Sequence, residues 1–320
     1  MEQEDHQLLL PLVEEENICL PLPINVVSRY WNVELPMAEA IESAKKYSDF
    51  NGSIIIEGID LAERHGLSCK IIHSSLVELK KIIDSGIPPI VILPGIPEIT
   101  QHASVITGYS EEEKTILHYI QKGNQEGEQQ EGAIPQDIFD REWSEEGRLL
   151  IIIAPSDILS NIALENNSQD KSNRLCFNSE KQNILKNSTE ALQFLKESIE
   201  LDSSNSTALH LYGTMLNQQN SLECVSFYEK SLKINNRSYL TFNGLGNFYL
   251  KTNQFEKAEN SYSKAIEINP KRSAKIYKNR AYIREKQNKN SDAKEDLKLY
   301  LKYFPKAPDR GIIEQAIREI

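Results

Sequence analysis

The feature that most constrains the fold of this chain is a period of 33–35 residues in its C-terminal half. Gly213 lies 33 residues before Gly246, and a fourth, incomplete copy supplies Ala191, Leu195 and Ser198. A spacing of 35 residues separates the members of three further pairs, which are Gly246 and Ala281, Ala258 and Ala293, and Pro270 and Pro305. Small residues let two antiparallel helices approach closely, and proline ends a helix because it lacks the N–H that would continue it. The period therefore predicts a stack of helical pairs.

This pattern resembles the tetratricopeptide repeat, with most consensus positions filled. The resemblance predicts an all-α superhelix at residues 183–320, with a capping helix at 312–320. In such a superhelix the first helix of each pair lines a concave face, which holds a protein or peptide partner. We expect this groove to contain the peptide-binding residues His210, Asn243, Asn247, Lys275, Lys278, Asn279 and Tyr282.

Some members of that family grip the C-terminal carboxylate of a peptide with a clamp of Lys, Asn and Arg residues. Asn247 and Asn279 match the two asparagines of the clamp, whereas Asn243 stands at the position of its lysine. The third repeat that supplies Lys and Arg is replaced here by the terminal helix. The alternative is that these polar residues are a solvated helix face without a ligand.

Charge is distributed unevenly along the chain, which indicates two domains. The segment 181–320 holds 23 Lys and Arg residues against 16 Asp and Glu residues, and its net charge is +7. The whole chain has a net charge of −11, so the first 180 residues carry −18. Nucleic acid is therefore not the expected partner, because phosphate would repel the acidic front half.

Other classes of site are not indicated by the sequence. The cysteines show no metal-binding or disulfide-framework spacing, and the histidines show no ligand pattern. No apolar run reaches the ~18 residues that a membrane span requires. Neither a glycine-rich phosphate loop nor an export signal is evident. We therefore expect a cytoplasmic protein with no metal, no cofactor and no membrane partner.

The front half mixes helical and strand patterns. Helical apolar spacing occurs at 37–47 and 53–65, and short Ile-, Leu- and Val-rich runs at 90–93 and 149–153 predict buried strands. Two further strand patterns, at 102–109 and 114–120, are joined by a charged turn and predict a hairpin. We predict an α+β domain at 8–155, a mobile loop at 123–132, and a polar linker at 156–182.

Cys19 and His102 are the candidate reactive pair of this domain. Prolines that suit a first helical turn follow Cys19, and an apolar helix then runs to Trp31. A thiol at a helix N-terminus has its thiolate favoured by the helix dipole. His102 opens a strand that ends at Tyr109, and a histidine beside a cysteine is the usual base for a thiol nucleophile.

Together these segments resemble the papain-like domain of the bacteriocin-processing, double-glycine leader peptidases, over about residues 8–153. The resemblance implies that Cys19 is the nucleophile and His102 the general base. Three family positions differ. The oxyanion-hole Gln is either replaced by Glu14 or absent, Leu20 replaces the Gly after the nucleophile, and Tyr119 replaces the Asp that orients the histidine. A carboxylate opposes a developing oxyanion, and loss of the orienting group leaves the imidazole unfixed.

Two hypotheses follow. The first is a polypeptide-binding protein, in which a degraded cysteine-peptidase-like domain is joined to a repeat scaffold. The alternative is an active cysteine peptidase that uses Cys19 and His102 on a peptide recruited by the repeats. The missing Gln and Asp favour the first hypothesis, and the sequence leaves enzymatic activity uncertain.

Overall fold

A computed structural model of the chain describes residues 6–10, 20–46, 54–95, 101–119, 131–162 and 167–320. Contacts divide the described chain into two compact units, of which the first ends at Asn205 and the second begins at Ser206. Two apolar clusters form the core of the first unit, and a third forms the core of the second. The predicted class, an α+β domain followed by all-α repeats, is confirmed.

The first unit is an antiparallel sheet flanked by helices. Its described elements are β1 (His6–Gln7), α1 (Pro21–Tyr30), α2 (Met37–Lys45), α3 (Ile55–Arg64), β2 (Ser68–His73), α4 (Leu76–Asp84), β3 (Ile90–Pro94), β4 (Gln101–Ser110), β5 (Thr115–Tyr119), β6 (Glu131–Pro135), α5 (Gln136–Glu145), β7 (Leu149–Ala154), α6 (Ser156–Asn161), α7 (Asn167–Ile184) and α8 (Ser188–Leu201). The strand order is β2-β7-β3-β4-β5-β6, and β1 pairs with β4. The predicted hairpin is β4 with β5.

The two faces of the sheet bury alternate residues of the same strands, because successive side chains of a strand point to opposite sides. One face contributes Ile90 and Ile92 to a core with α1, α2 and α3. The other face contributes Val91 and Leu93 to a core with α4 and α5. Strand β7, which lies between β2 and β3, is buried on both faces, which explains its apolar sequence of Leu, Ile and Ala.

Helix α7 covers the outer edge of β2 with polar side chains. Ile71 donates its N–H to Asp170 Oδ1 at 2.8 Å and accepts from Asn173 Nδ2 at 2.8 Å. Arg174 Nη2 donates to the Cys69 carbonyl at 2.6 Å. These side chains take the place of a neighbouring strand, and an edge whose hydrogen bonds are satisfied is protected from pairing with another chain.

The segment 156–182 differs from the prediction of a polar linker, because α6 and most of α7 lie there. Its polar residues are hydrogen-bond partners of the sheet edge rather than solvated linker residues. Ser172 is also fully buried and donates to the Ser198 carbonyl of α8 at 2.8 Å. The domain boundaries stay a prediction. The predicted loop at 123–132 lies outside the described residues, except for its last two positions, which belong to β6.

The second unit consists of helical pairs. Its helices are α9 (Ser206–Gln218), α10 (Cys224–Ile234), α11 (Tyr239–Lys251), α12 (Phe255–Ile268), α13 (Ala274–Lys286), α14 (Asn290–Tyr303) and α15 (Arg310–Glu319). Within each pair the small residues have the expected role: a Cβ on Gly246 would lie 2.4 Å from the Tyr262 ring. Helix α15 lies where the capping helix is predicted, at 312–320, and buries Ile313; its capping role stays a prediction.

Candidate functional site

The peptidase-like site is described only in part, because Cys19 and Glu14 lie outside the described residues. Leu20 is buried where α1 begins, beside a small hollow lined also by Ile24 and Gly58. The distance between Cys19 and His102 is therefore undefined, and the pair stays a prediction.

His102 lies on β4 directly opposite Leu93 of β3. Because cross-strand partners share a face of the sheet, His102 is on the side of the α4 and α5 core, whereas Ala103 faces the α1 core. Burial lowers the pKa of His102, so the imidazole is neutral at pH 7. Among the described residues nothing hydrogen-bonds to its ring. An orienting carboxylate for His102 is thus lacking in the described part of the chain.

Two neighbouring positions on β5 agree with that conclusion. Tyr119, at the family's Asp position, is buried in the core on the α1 side. His118 Nδ1 lies 3.2 Å from Ser104 Oγ, and burial and the nearby His102 both lower the His118 pKa. Ser104 is 3% exposed, so this hydroxyl is out of reach of a substrate. The Ser104–His118 contact therefore holds the strands together rather than forming a reactive pair.

The residues predicted to line the groove lie on the first helices of the second unit, which are α9, α11 and α13. On α13, Lys275, Lys278 and Tyr282 are three and four residues apart, which puts them on the same helix face. Lys275 is exposed, and Tyr282 is 48% exposed with Lys286 Nζ 5.4 Å from its ring centre. Asn243 of α11 has no hydrogen-bond partner within the described ranges.

His210, on α9, is tied to the next first helix. Its Nδ1 lies 3.1 Å from Thr241 Oγ1 of α11, and its ring lies against Tyr228. Burial lowers the pKa of His210 to about 4, so the ring is neutral at pH 7. This end of the groove is therefore polar and uncharged.

Lys278 differs from Lys275 because it already has partners. Its Nζ lies 2.8 Å from Asp309 Oδ2 at the start of α15, and 5.4 Å from the Tyr300 ring centre. Tyr300 also donates its hydroxyl to Asp309. Lys278 and Tyr300 together lower the pKa of Asp309, which keeps its carboxylate charged. Lys278 therefore fastens α15 to α13, and its predicted contact with a ligand stays a prediction.

A tyrosine that the sequence analysis missed links the two groove asparagines. Tyr262 Oη of α12 donates to Asn247 Oδ1 at 2.7 Å, and Asn279 Nδ2 lies 3.4 Å from the same hydroxyl. Tyr262 is fully buried, and burial raises its pKa to about 12. Its repeat position, 34 residues after Tyr228, was visible in the sequence, but its contact with both asparagines was not.

The charges of the first helices are strongly biased. Helices α9 and α11 contain no Asp or Glu, and α13 contains one acidic residue, Glu285, among five basic residues. Two of those five, Arg280 and Arg284, point to the buried carboxylate of Asp296 on α14. The lysines that remain give the first helices a positive potential, which attracts acidic ligands.

A comparison with protein families matches one of the helical pairs. The family model of the tetratricopeptide repeat matches residues 239–272, which span α11 and α12. Curated protein sequences show no match to this chain.

Several solved structures are similar to parts of the chain. One concerns Pseudomonas aeruginosa pilF (18% identity, 48% of this chain and 71% of that one, TM-score 0.43). Another is a double glycine motif protease from an AMS/PCAT transporter in complex with the leader peptide (19% identity, 47% and 94%, TM-score 0.36). A third is the Arabidopsis OM64 TPR domain (23% identity, 36% and 94%, TM-score 0.33). The predicted resemblances to the leader peptidases and to the tetratricopeptide repeat are thus both found.

The helices and the polar side chains of the described residues bear on two further kinds of site. None of their helices has the length and apolar character that a membrane span requires. In the same ranges, no three His, Cys, Asp or Glu side chains are grouped so as to hold a metal ion.

Proposed function

We propose that this protein is a polypeptide-binding scaffold whose repeat groove holds an acidic segment of a protein partner. The observation that carries the proposal is the charge of the first helices, where a single Glu285 stands among lysines that have few acidic partners. Lysine stems and polar side chains can hold an extended peptide, and complementary charge adds to both the rate and the specificity of association.

In this proposal the front domain is a degraded cysteine-peptidase-like domain. The support is chemical: Tyr119 replaces the orienting carboxylate, and His102 has no described partner that would fix its ring. The domain would then contribute binding surface rather than peptide cleavage. The buried free thiols of Cys69 and Cys176 support a reducing location such as the cytoplasm.

A selection experiment tests the binding function. A phage-displayed library of random twelve-residue peptides is panned on the immobilised full-length protein at low salt, and enriched peptides are sequenced. We expect enriched peptides to be rich in Asp and Glu, and to bind about an order of magnitude more weakly as salt is raised to 0.5 M. Enrichment of basic or uncharged peptides, or of none, would refute the proposal.

Matched lysine variants locate the binding surface. Replacing Lys275 and Lys286, two exposed residues of the α13 stripe, by alanine should weaken binding of the selected peptide about fivefold. Replacing Lys230 and Lys233, two exposed residues of the second helix α10, removes the same charge elsewhere and should change binding less than twofold. Equal losses in the two variants would show that net charge, and not the groove, drives binding.

A further inference from the structure

The turn between β4 and β5 carries a compact group of carboxylates. Glu111, Glu112 and Glu113 follow one another there, and all three are exposed, so another molecule can reach them. We call these three residues the acidic tip. No other three consecutive acidic residues occur in the described part of the chain. Among the described segments, the acidic tip therefore offers a cationic surface the most carboxylates in a row.

The strands on either side fix the backbone of the acidic tip. Ser110 pairs with Thr115 across the hairpin, and the Ser110 hydroxyl accepts the N–H of Glu113 at 3.2 Å. Lys80 Nζ lies 2.6 Å from Glu111 Oε1, yet the Glu111 side chain stays 65% exposed. A ligand whose shape is fixed before binding loses little conformational entropy when it binds. The acidic tip is therefore a preorganised anionic ligand.

The first helices of the repeats have the opposite charge. On α13, the exposed residues Lys275 and Lys286 lie eleven residues apart, which is about 16 Å along the helix. Helices α9 and α11 contain no Asp or Glu that would cancel this charge. We call the face that carries Lys275 and Lys286 the basic groove. Each copy of the chain thus presents both an acidic tip and a basic groove, two surfaces of complementary charge.

We propose that the protein partner of the basic groove is a second copy of this chain, whose acidic tip contacts Lys275 and Lys286. The inference rests on the proposed function, since it names the partner of the same groove. Each copy uses one surface as the ligand and a different surface as the site. The contact is therefore heterologous, and copies add head to tail into a ring or an open chain.

The net charge of the chain sets the conditions under which this association occurs. Two copies with a net charge of −11 each repel one another at long range. At 0.1 M salt the Debye length is about 10 Å, so that this repulsion is largely screened, whereas charges in direct contact are screened less. At 0.5 M salt the Debye length falls to about 4 Å and the contact charges are weakened as well. Association should therefore be evident near 0.1 M salt and weaker at 0.5 M.

Sedimentation velocity of the full-length protein measures the association. At 0.1 M salt, the mean sedimentation coefficient should rise as the protein concentration is raised from about 10 to 300 µM, a range that covers weak interfaces. At 0.5 M salt the dissociation constant should rise about tenfold. A protein that stays monomeric at every concentration at 0.1 M salt would overturn the inference, and so would association that strengthens with salt.

A neutral variant of the acidic tip has a matched control in the same unit. Glu112→Gln with Glu113→Gln removes two carboxylates and keeps the contact between Glu111 and Lys80. This tip variant should raise the dissociation constant about fivefold. Glu34→Gln with Glu42→Gln removes the same charge from two other exposed positions and should change the dissociation constant less than twofold. Equal effects of the two variants would show that net charge, and not the acidic tip, governs association.

The basic groove is tested in the same way. Lys275→Ala with Lys286→Ala, the groove variant, should raise the dissociation constant about fivefold, and Lys230→Ala with Lys233→Ala on α10 less than twofold.

A mixture of the tip variant and the groove variant tests the pairing directly. The tip variant keeps an intact basic groove and the groove variant keeps an intact acidic tip, so one wild-type contact can form between them. The mixture should therefore form 1:1 dimers with the wild-type dissociation constant, and larger species only at about fivefold higher concentration. A mixture that associates no better than the separate variants would show that the tip and the groove are not partners.

Peptide selection on the full-length protein separates failure of the inference from failure of the proposed function. If acidic peptides are enriched but the protein stays monomeric, the inference alone is wrong. If neither an acidic peptide nor a second copy binds, both are wrong. A selected acidic peptide should also dissociate the wild-type assembly, because it competes for the basic groove. Assembly that persists at a saturating concentration of this peptide would locate the contact elsewhere and overturn the inference.

Discussion

Replacing Asp296 by alanine should destabilise the repeats severely. Its carboxylate is 1% exposed and accepts from Arg280 Nη2 at 2.7 Å, Arg280 Nε at 2.9 Å and Arg284 Nη1 at 3.0 Å. The arginine side chains are only 11% and 18% exposed, so the variant leaves two largely buried cations facing an empty site. Removal of one partner from such a network costs about 3–5 kcal/mol.

Arg284 also contacts Glu259 of α12, at 2.9 Å, and Lys289 contacts the same carboxylate. These contacts still compensate part of the Arg284 charge in the variant. We therefore expect the free energy of unfolding to fall by about 4 kcal/mol, the middle of that range. With a urea slope of about 2 kcal/mol/M, the unfolding midpoint of the repeats should fall by about 2 M.

The two tryptophans make the assay specific. Trp31 and Trp143 both lie in the first unit, so their fluorescence follows that unit, whereas circular dichroism at 222 nm follows the helices of both. Asp296→Ala should shift the dichroism transition and leave the fluorescence transition in place. Lys298→Ala, which breaks an exposed ion pair on the same helix, is the control and should shift neither by more than about 0.3 M. A dichroism shift below about 0.5 M would refute the argument that this network is buried and coupled.

Four further predictions concern both units. Asn173→Ala leaves a carbonyl of the covered sheet edge without a donor, and the fluorescence midpoint should fall by about 0.5–1.5 M of urea, equivalent to about 1–3 kcal/mol; no shift would contradict the edge-cover role of α7. His210 is less basic in the fold than when unfolded, so its stabilising contribution is complete above about pH 6.5 and is lost as pH falls towards 4; dichroism melts should show this slope, weaker in His210→Gln. Cys19 should react with iodoacetamide no faster than an ordinary thiol, and rapid labelling in mild acid that disappears in His102→Ala would support the peptidase alternative instead. The fragment Ser206–Ile320 should fold alone, because its core is its own, and a dichroism spectrum without helix would rule this out.

The sequence predicted the repeats well because their signals are local and periodic. Gly246 and Ala281 recur at the close contacts of helical pairs, and the capping helix has an amphipathic pattern of its own. The predicted groove positions rest on the same period. The contacts that those residues make could not be predicted from the period. Lys278 and Asp309 are 31 residues apart in the chain, and nothing in a repeat pattern predicts that contact.

The front domain was predicted less completely, since its short strands carry little information. The apolar runs of β3 and β7 were evident because both faces of these strands are buried. Strand β2 was missed: its outer edge is covered by a helix, and its sequence mixes Lys70 with apolar residues. Strand β6 lies next to residues rich in Gln and Glu, a composition that is typical of loops.

Helix α7 explains why composition misled the interpretation of residues 156–182. A helix that covers a sheet edge must offer donors and acceptors to an exposed backbone, so Asp170, Asn173 and Arg174 are required where a core helix would have Leu or Ile. Another side packs on α8, where the buried hydroxyls of Ser172 and Ser198 contact each other and α8 also buries Ala191 and Leu195. Polarity in this segment therefore reflects burial against polar groups and not exposure to water. Because α7 covers the edge of the sheet and also packs on α8, the first unit extends to Asn205, and a fragment that begins after α7 would expose the face of α8 that α7 covers.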